Sequence, residues 1–325
     1  MKILVSGGAG YIGSVTSALL IKSGHEIVVF DNLNTGHKES ISPKAKFIQG
    51  DIKYFEEIKA ALKGIDAVVH FAALSLVGES CSDPRKYFDN NTVGTLTLLN
   101  AMSDAGVKLM VFSSSAAVYG SPKAIPITEE AEKCLENPYG ETKLMIEKMI
   151  KWYSKAYGLA GASLRYFNAA GADLENDLGE DHRNETHLIP LVLKAALGKR
   201  KSIAVYGTDY PTKDGTCVRD YIHIKDLANA HVLALEKITS TKQTCAYNLG
   251  SENGFTVREI IETAKEVTGI NIPSEDSPRR AGDPAVLVAS SQKIQKELGW
   301  KPKHSAIKDL ISDAWSWHKK HPDGY

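Results

Sequence analysis

The opening stretch KILVSGGAGYIGS constrains the fold more than any other part of the chain. A β-branched run breaks directly into Gly7, Gly10 and Gly13 and then continues at helical period from about Tyr11, so a buried strand must turn tightly into a helix. The same pairing recurs downstream. EIVVF and AKFIQG precede a helix from about Tyr54; DAVVHF precedes a long helix from about Pro84; KLMVFSSS precedes a helix from about Pro138; ASLRYF closes the series. Short strands separated by helices form a parallel sheet covered on both faces, so the expected class is α/β, a doubly wound Rossmann fold followed by a smaller C-terminal α/β domain. The pattern loosens after Asn168 into GADLENDLGED and GTDYPTKDGTCVRDYIH, which sets the expected boundary at 1–175 and 176–325, with some segments around 219–250 returning to the first domain. SAIKDLISDAWSWHKK closes the chain as an amphipathic helix.

Composition narrows what such a fold binds. Lys plus Arg and Asp plus Glu are both 39, leaving no net field to recruit nucleic acid, so any phosphate must be gripped locally. Cys81, Cys134, Cys217 and Cys245 lack CxxC spacing, which argues against a zinc ribbon or disulfide framework and for a reducing compartment. The longest apolar stretch carries Asp66 and His70, so no membrane span is expected, and a cytoplasmic location follows. His182 and His187, five residues apart in a loop-like segment, do not share a helical face, so no metal site is expected; His70 reads as strand core, and His318 and His321 as residues of a solvated tail.

Two stretches carry chemistry. Gly7, Gly10 and Gly13 at a strand-to-helix turn let the backbone approach a pyrophosphate at the positive end of the helix, although such glycines also serve packing alone. Asp31 ends the second strand eighteen residues after Gly13, where a carboxylate meets a ribose 2′-OH and repels a 2′-phosphate; this favours NAD, with a plain loop cap as the other reading. Asp51, after AKFIQG, either meets the adenine edge or forms a turn. In PYGETK, Tyr139 and Lys143 lie four apart, on one face of the helix after Pro138. An ammonium beside a phenol lowers the phenol pKa and tunes it for acid–base work, whereas the spacing alone also suits a surface pair. Ser113, Ser114 and Ser115 end the preceding strand, where ligands lie in parallel sheets.

With these residues in view, the chain resembles the extended short-chain dehydrogenases/reductases and, within them, the UDP-glucose 4-epimerase family. The resemblance spans essentially the whole chain through GGAGYIGS, DNLN, GDI, HFAAL, VGES, DNNTVGT, FSSSAAVYG, PYGETK, LRYFNAAGA, DGTCVRDYIH, YNLGS and PRRAGD. It implies Tyr139 as catalytic base, Ser115 as its hydroxyl partner, and Lys143 as both a ligand of the nicotinamide ribose and a modulator of Tyr139. It implies an NAD site lined by Gly7, Gly10, Tyr11, Ile12, Gly13, Asp31, Asn32, Leu33, Asn34, Thr35, Gly36, Asp51, Ile52, Phe71, Ala72, Ala73, Leu74, Asn90, Ser115, Tyr139, Lys143 and Phe167. Asn168, Arg219, Arg280 and Asp283 are implied to hold the UDP-sugar together with Ser115 and Tyr139, and Leu287 to border the hexose. Ser75 stands where family members often carry lysine, which puts one cofactor contact in question.

Among relatives sharing these motifs, dehydratases and decarboxylases resemble this chain but carry a carboxylate just before VYG, where it has Ala116 and Ala117. Without that group, a 4-keto sugar has no base to remove its C5 proton, and return of hydride to C4 is the simplest fate. The implied activity is inversion of UDP-galactose and UDP-glucose at C4, in a homodimer paired through the helices of DPRKYFDNNTVGTLTLLNAMSDAG and PYGETK, whose excess of apolar positions a monomer burying them under a loop would equally explain. The alternatives are 4-epimerization of an N-acetylated, pentose or uronic UDP-sugar and, from another class, a non-catalytic NAD sensor, which would be expected to lose the Tyr139–Lys143 pair.

Overall fold

Alternate residues of a strand face opposite sides of its sheet, and here both sides are apolar. In β1 (Lys2–Ser6), Ile3 and Val5 enter one core while Leu4 enters the other; β2 (Glu26–Asp31) splits Ile27 and Val29 from Val28 and Phe30 in the same way. The computed structural model describes residues 1–280 and 283–325. With β3 (Lys46–Gln49), β4 (Ala67–His70), β5 (Leu109–Ser113) and β6 (Ala160–Tyr166), these strands form a parallel sheet completed by a late strand, β10 (Cys245–Leu249), in the order β10-β6-β5-β4-β1-β2-β3. The order reverses between β1 and β4. Crevices at such a reversal, outside the carboxyl ends of the strands, are where open parallel sheets hold ligands.

One face is covered by α1 (Tyr11–Lys22) and, from late in the chain, α8 (Ile224–Thr241), which packs on it. The other carries α2 (Phe55–Ala61), α5 (Gly94–Ala105) and α6 (Pro138–Tyr157). The long helix expected from Pro84 is present and runs to Ala105, preceded by the short α3 (Val77–Ser82): α4 (Pro84–Tyr87) passes through a widened π-type turn at Phe88–Val93 directly into α5. Local signals explain where α6 begins and ends. Asn137 caps it by accepting from the Gly140 N–H at 2.8 Å, Pro138 occupies its first turn, and Gly158 ends it at φ 72°.

The remaining elements build on that frame. β7 (Asn168–Ala170), β9 (Val218–His223), β11 (Gly254–Thr256) and β13 (Val286–Leu287) form a small sheet, and β8 (Ile203–Tyr206) pairs with β12 (Ser274–Ser277). Their core is shared with α7 (Leu188–Ala196), α9 (Val257–Thr268) and α11 (Ile307–Lys320), while α10 (Gln292–Leu298) packs against β10 and α8. The tail reading of the last helical turn is corrected. His318 is buried, His321 stacks on Trp317 with centroids 4.7 Å apart, and the Trp317 indole donates to the Asp177 carbonyl, so the loop at 177–181 covers this turn.

Candidate functional site

The glycine turn is built by close backbone approach. The Gly7 N–H donates to the Phe30 carbonyl at 2.9 Å, joining the ends of β1 and β2, and at φ 75° a Cβ on Gly7 would stand 2.5 Å from the Ala72 nitrogen. A Cβ on Gly13 would meet the Gly7 carbonyl oxygen at 2.2 Å, whereas one on Gly10 would meet nothing nearer than 3.4 Å. Gly10 therefore leaves an open approach to α1, whose start carries neither a side-chain cap nor an acidic residue in its first turn. Unpaired N–H groups and the helix dipole favour an anion there. Tyr11 borders this turn and ties it to the second half of the chain through a 2.7 Å hydrogen bond from its hydroxyl to the Gly171 carbonyl.

Asp31 ends β2 beside the turn, accepting from the Ala9 N–H at 3.0 Å and the Leu33 N–H at 2.8 Å; burial raises its pKa and these bonds oppose the rise. Each oxygen keeps a lone pair for a hydroxyl donor. Leu33 takes the unusual φ of 60°, Asn34 is bonded through Asn32, and Gly36 lies so close to Ala9 that a Cβ would stand 2.8 Å from its backbone. Asn32 donates to Asp51 at 3.0 Å, which links the DNLN and GDI segments, and Ile52 is buried next to them. Phe71 and Ala72 both donate to the Ser6 carbonyl, which carries Phe71, Ala72, Ala73 and Leu74 past the end of β1. Thr35 and Ser75 are exposed. The residues at the ends of β1, β2 and β4 thus fit a dinucleotide: an open helix start, glycine backbone at the turn and a carboxylate with spare acceptor capacity.

Asn91 was missed in the sequence and is wholly buried. Its amide accepts from the Leu74 N–H at 2.8 Å and donates to the Leu74 carbonyl and the Thr142 hydroxyl, pinning the 71–74 segment to α6. Asn90, the expected cofactor residue, donates from its side chain to the Asn91 side-chain amide oxygen. The adjacent asparagines in DNN were the available signal.

Tyr139 and Lys143 share the face of α6 turned toward the end of β5. The Ser80 hydroxyl of VGES accepts from the Tyr139 N–H, holding the first turn, and Ser115, whose side chain caps the Ala117 N–H, lies near enough to the Tyr139 phenol to influence its pKa. Lys143 is buried, donates to the Ser113 carbonyl at 2.8 Å and lies 5.7 Å from the Tyr139 ring centroid. The expected electrostatics are corrected here. Burial lowers Lys143 to about 7, which removes much of its charge at neutral pH, and burial raises the Tyr139 phenol with the neighbouring Ser115 hydroxyl as the opposing influence. Desolvation outweighs the pairing that the i,i+4 spacing suggested.

Glu147 continues the same face one turn on and was also missed. It receives the Arg165 guanidinium at 2.9 and 2.6 Å and the Ser114 hydroxyl at 2.6 Å, locking α6 onto β5 and β6. The spacing of four that singled out Tyr139 and Lys143 would have found it.

The residues expected at the sugar nucleotide lie on the small sheet. Asn168, in β7, donates to the Asp220 carbonyl at 2.9 Å; Leu287 is in register with Arg219 across β13 and β9, and the Arg219 guanidinium pairs with Asp283. Leu287 and Phe167 pack on the buried cluster of Ala116, Val118 and Tyr119, so they adjoin the turn that carries Ser115. Arg280 stands apart, exposed and stacked 3.9 Å over the Tyr206 ring.

The histidine expectation also changes. The segment after β7 folds so that His182 and His187 converge with Glu180 and Glu185. No helix among the described residues is long and apolar enough to cross a membrane.

Residues 3–250 match the model of the NAD dependent epimerase/dehydratase family. The chain belongs to this family. Within it, the chain is 51% identical to the UDP-glucose 4-epimerase of Lacticaseibacillus casei, over 100% of this chain and 99% of that protein. A crystal structure of a UDP-glucose 4-epimerase superposes at a TM-score of 0.98 with 50% identity, covering 100% and 99% of the two chains. The Bifidobacterium longum UDP-glucose 4-epimerase, crystallised with NAD+ and UDP, superposes at 0.95 with 39% identity and full coverage of both chains.

Proposed function

We propose that the chain is an NAD-dependent UDP-glucose 4-epimerase, interconverting UDP-glucose and UDP-galactose. The observation that carries this reading is the Tyr139 phenol on α6 set beside Ser115 just past the end of β5, with Ser115 followed by Ala116 and Ala117 instead of a carboxylate. NAD held by the glycine turn and Asp31 would supply the hydride acceptor and donor that inversion at C4 requires. Tyr139 removes the proton of the C4 hydroxyl and gives it back, and Ser115 orients that hydroxyl. Lys143 holds the nicotinamide ribose and exchanges protons near neutrality, consistent with its depressed pKa. The alanines leave no acid or base at C5, so elimination does not drain the 4-keto sugar.

The division of labour follows the fold. Residues 1–175, with α8 and β10, form the NAD-binding part, and most of 176–325 serves the UDP-hexose through Arg219, Arg280, Asp283 and Leu287, joined by Asn168 from the first part. The two arginines suit a diphosphate because a guanidinium matches phosphate oxygens in a fork. The working unit is a homodimer: α5 and α6 lie side by side and expose Leu96, Met145, Trp152 and Tyr157, a surface that a second copy would cover. Four free cysteines accord with a cytoplasmic location.

The test is to incubate purified protein with UDP-galactose and identify the product by NMR. UDP-glucose should form, and Tyr139→Phe should lower turnover by about 10²–10⁴-fold while NAD content is retained. Wild-type turnover in Tyr139→Phe would remove Tyr139 as the base, and a product other than UDP-glucose would remove the assignment.

A further inference from the structure

We propose that Glu180, His182, Glu185 and His187 form a four-ligand site for a borderline divalent cation of the zinc class. Their ligand atoms all lie within 4.8 Å of one another. Glu180 Oε1 stands 2.9 Å from the His187 Nδ1 and 3.5 Å from the His182 Nδ1, while Glu185 faces the His187 Nδ1 with Oε1 at 3.0 Å and the His182 Nδ1 with Oε2 at 3.2 Å. Ligands held tetrahedrally about 2.05 Å from zinc are about 3.3 Å apart. The two edges to Glu180 Oε1 bracket that value, and a turn of the Glu185 carboxylate would set one of its oxygens toward both imidazoles.

The contact pattern favours a cation over a set of ion pairs. Each imidazole turns one nitrogen toward oxygens of two different carboxylates, and one N–H cannot point straight at both. The Glu180 and Glu185 side chains are almost wholly buried, and among the described residues their ionic partners are these two histidines, with no lysine or arginine. Two buried carboxylates and two neutral imidazoles balance a doubly charged ion, and imidazole with carboxylate suits zinc, whereas calcium and magnesium prefer an all-oxygen shell. Glu185 is already oriented, since one of its oxygens accepts the Thr186 and His187 N–H groups at 2.8 Å each.

The site spans the loop between β7 and α7, with His187 immediately before the helix. An ion there fastens the loop to the start of α7 close to the cofactor turn, since Glu180 and Glu185 are near enough to act electrostatically on Tyr11. The site lies outside the proton and hydride chemistry, so metal content tests it independently of turnover.

Purified protein is dialysed against a chelator, reloaded with zinc chloride or magnesium chloride, desalted, and assayed by inductively coupled plasma mass spectrometry. The wild type should hold one zinc per chain and no magnesium, the cobalt-loaded form should show tetrahedral d–d bands, and zinc should raise the melting temperature. His182→Ala should hold no zinc and lose the thermal response, with circular dichroism and NAD content as controls for folding. Glu185→Gln, which keeps the acceptor oxygen for the backbone while removing the charge, should bind zinc about tenfold more weakly or worse. Zinc in the wild type no higher than in His182→Ala, or zinc retained by Glu185→Gln at the wild-type level, would overturn the proposal and leave the cluster as a histidine–carboxylate ion-pair array.

Discussion

Gly10 and Gly13 sit three residues apart in one turn, yet replacing each with alanine should do opposite things. In Gly13→Ala the new Cβ would lie 2.2 Å from the Gly7 carbonyl oxygen and 2.9 Å from the Gly8 Cα, so backbone must move. Overpacking of this kind costs about 1–3 kcal/mol, against a gain of about 1 kcal/mol for alanine over glycine inside a helix, giving a net loss of about 0–2 kcal/mol. The upper end is expected, because the obstacle is backbone and not a side chain that can swing away. In Gly10→Ala the nearest atom is at 3.4 Å and the residue is extended, at φ −83° and ψ 169°, so stability should fall by only about 0.5 kcal/mol, the preference for glycine over alanine at a helix cap. That methyl group, however, projects where the pyrophosphate must approach. Urea unfolding of the NAD-stripped chains, together with NAD released on denaturation of the freshly purified proteins, separates the two effects. Gly10→Ala should be nearly as stable as wild type but depleted of NAD; Gly13→Ala should be clearly destabilised. A Gly10→Ala protein with full NAD, or a Gly13→Ala protein as stable as wild type, would refute this account of the turn.

Lys143 titrates near 7 in the folded chain and near its ordinary value of about 10.4 when unfolded, so between those values the unfolded state binds more protons and stability should rise with pH. Lys143→Met should flatten that slope in urea titrations at pH 7 and 9. The Asp31 carboxylate would repel a 2′-phosphate, so nucleotide released from purified wild type should be NAD, not NADP, and Asp31→Asn should retain less of it, as read by enzymatic cycling assay. Leu287 adjoins the Ser115 turn; Leu287→Tyr should depress turnover of UDP-N-acetylgalactosamine more than that of UDP-galactose, and an unchanged ratio would show that it does not gate the pocket.

The sheet was legible because its strands are apolar on both faces and its helices keep their period, and the site residues because chemistry at a parallel sheet gathers at strand ends. Tyr139 and Lys143 were visible as a pair, but the direction of their pKa shifts was not, since spacing reports proximity and says nothing of desolvation. Asn91 escaped notice because a buried asparagine does not announce itself by period. The amphipathic pattern of α11 was correct, yet it did not reveal that the 177–181 loop covers His318. The histidines of HRNETH came together through a loop, whose path no helical or strand period encodes.

The widened turn at Phe88–Val93 has a consequence for how this chain can vary. Tyr87, Asn91 and Thr95 are all buried, and Thr95 meets both the Asn91 carbonyl and the His70 ring. Positions spaced by four drift by about 40° per step along a regular α-helix, and the slower winding of a wide turn takes up that drift. The extra residue keeps three side chains in line that a uniform helix would splay apart. Removing one residue here would restore the regular winding and turn everything upstream, Tyr87 included, by about 100° relative to α5. The exposed Asp89 can therefore exchange for other residues with little effect, while the count of residues between Tyr87 and Thr95 is fixed. This stretch carries its information in length, as a reading frame does, and an alignment gap within it would mark a differently built site.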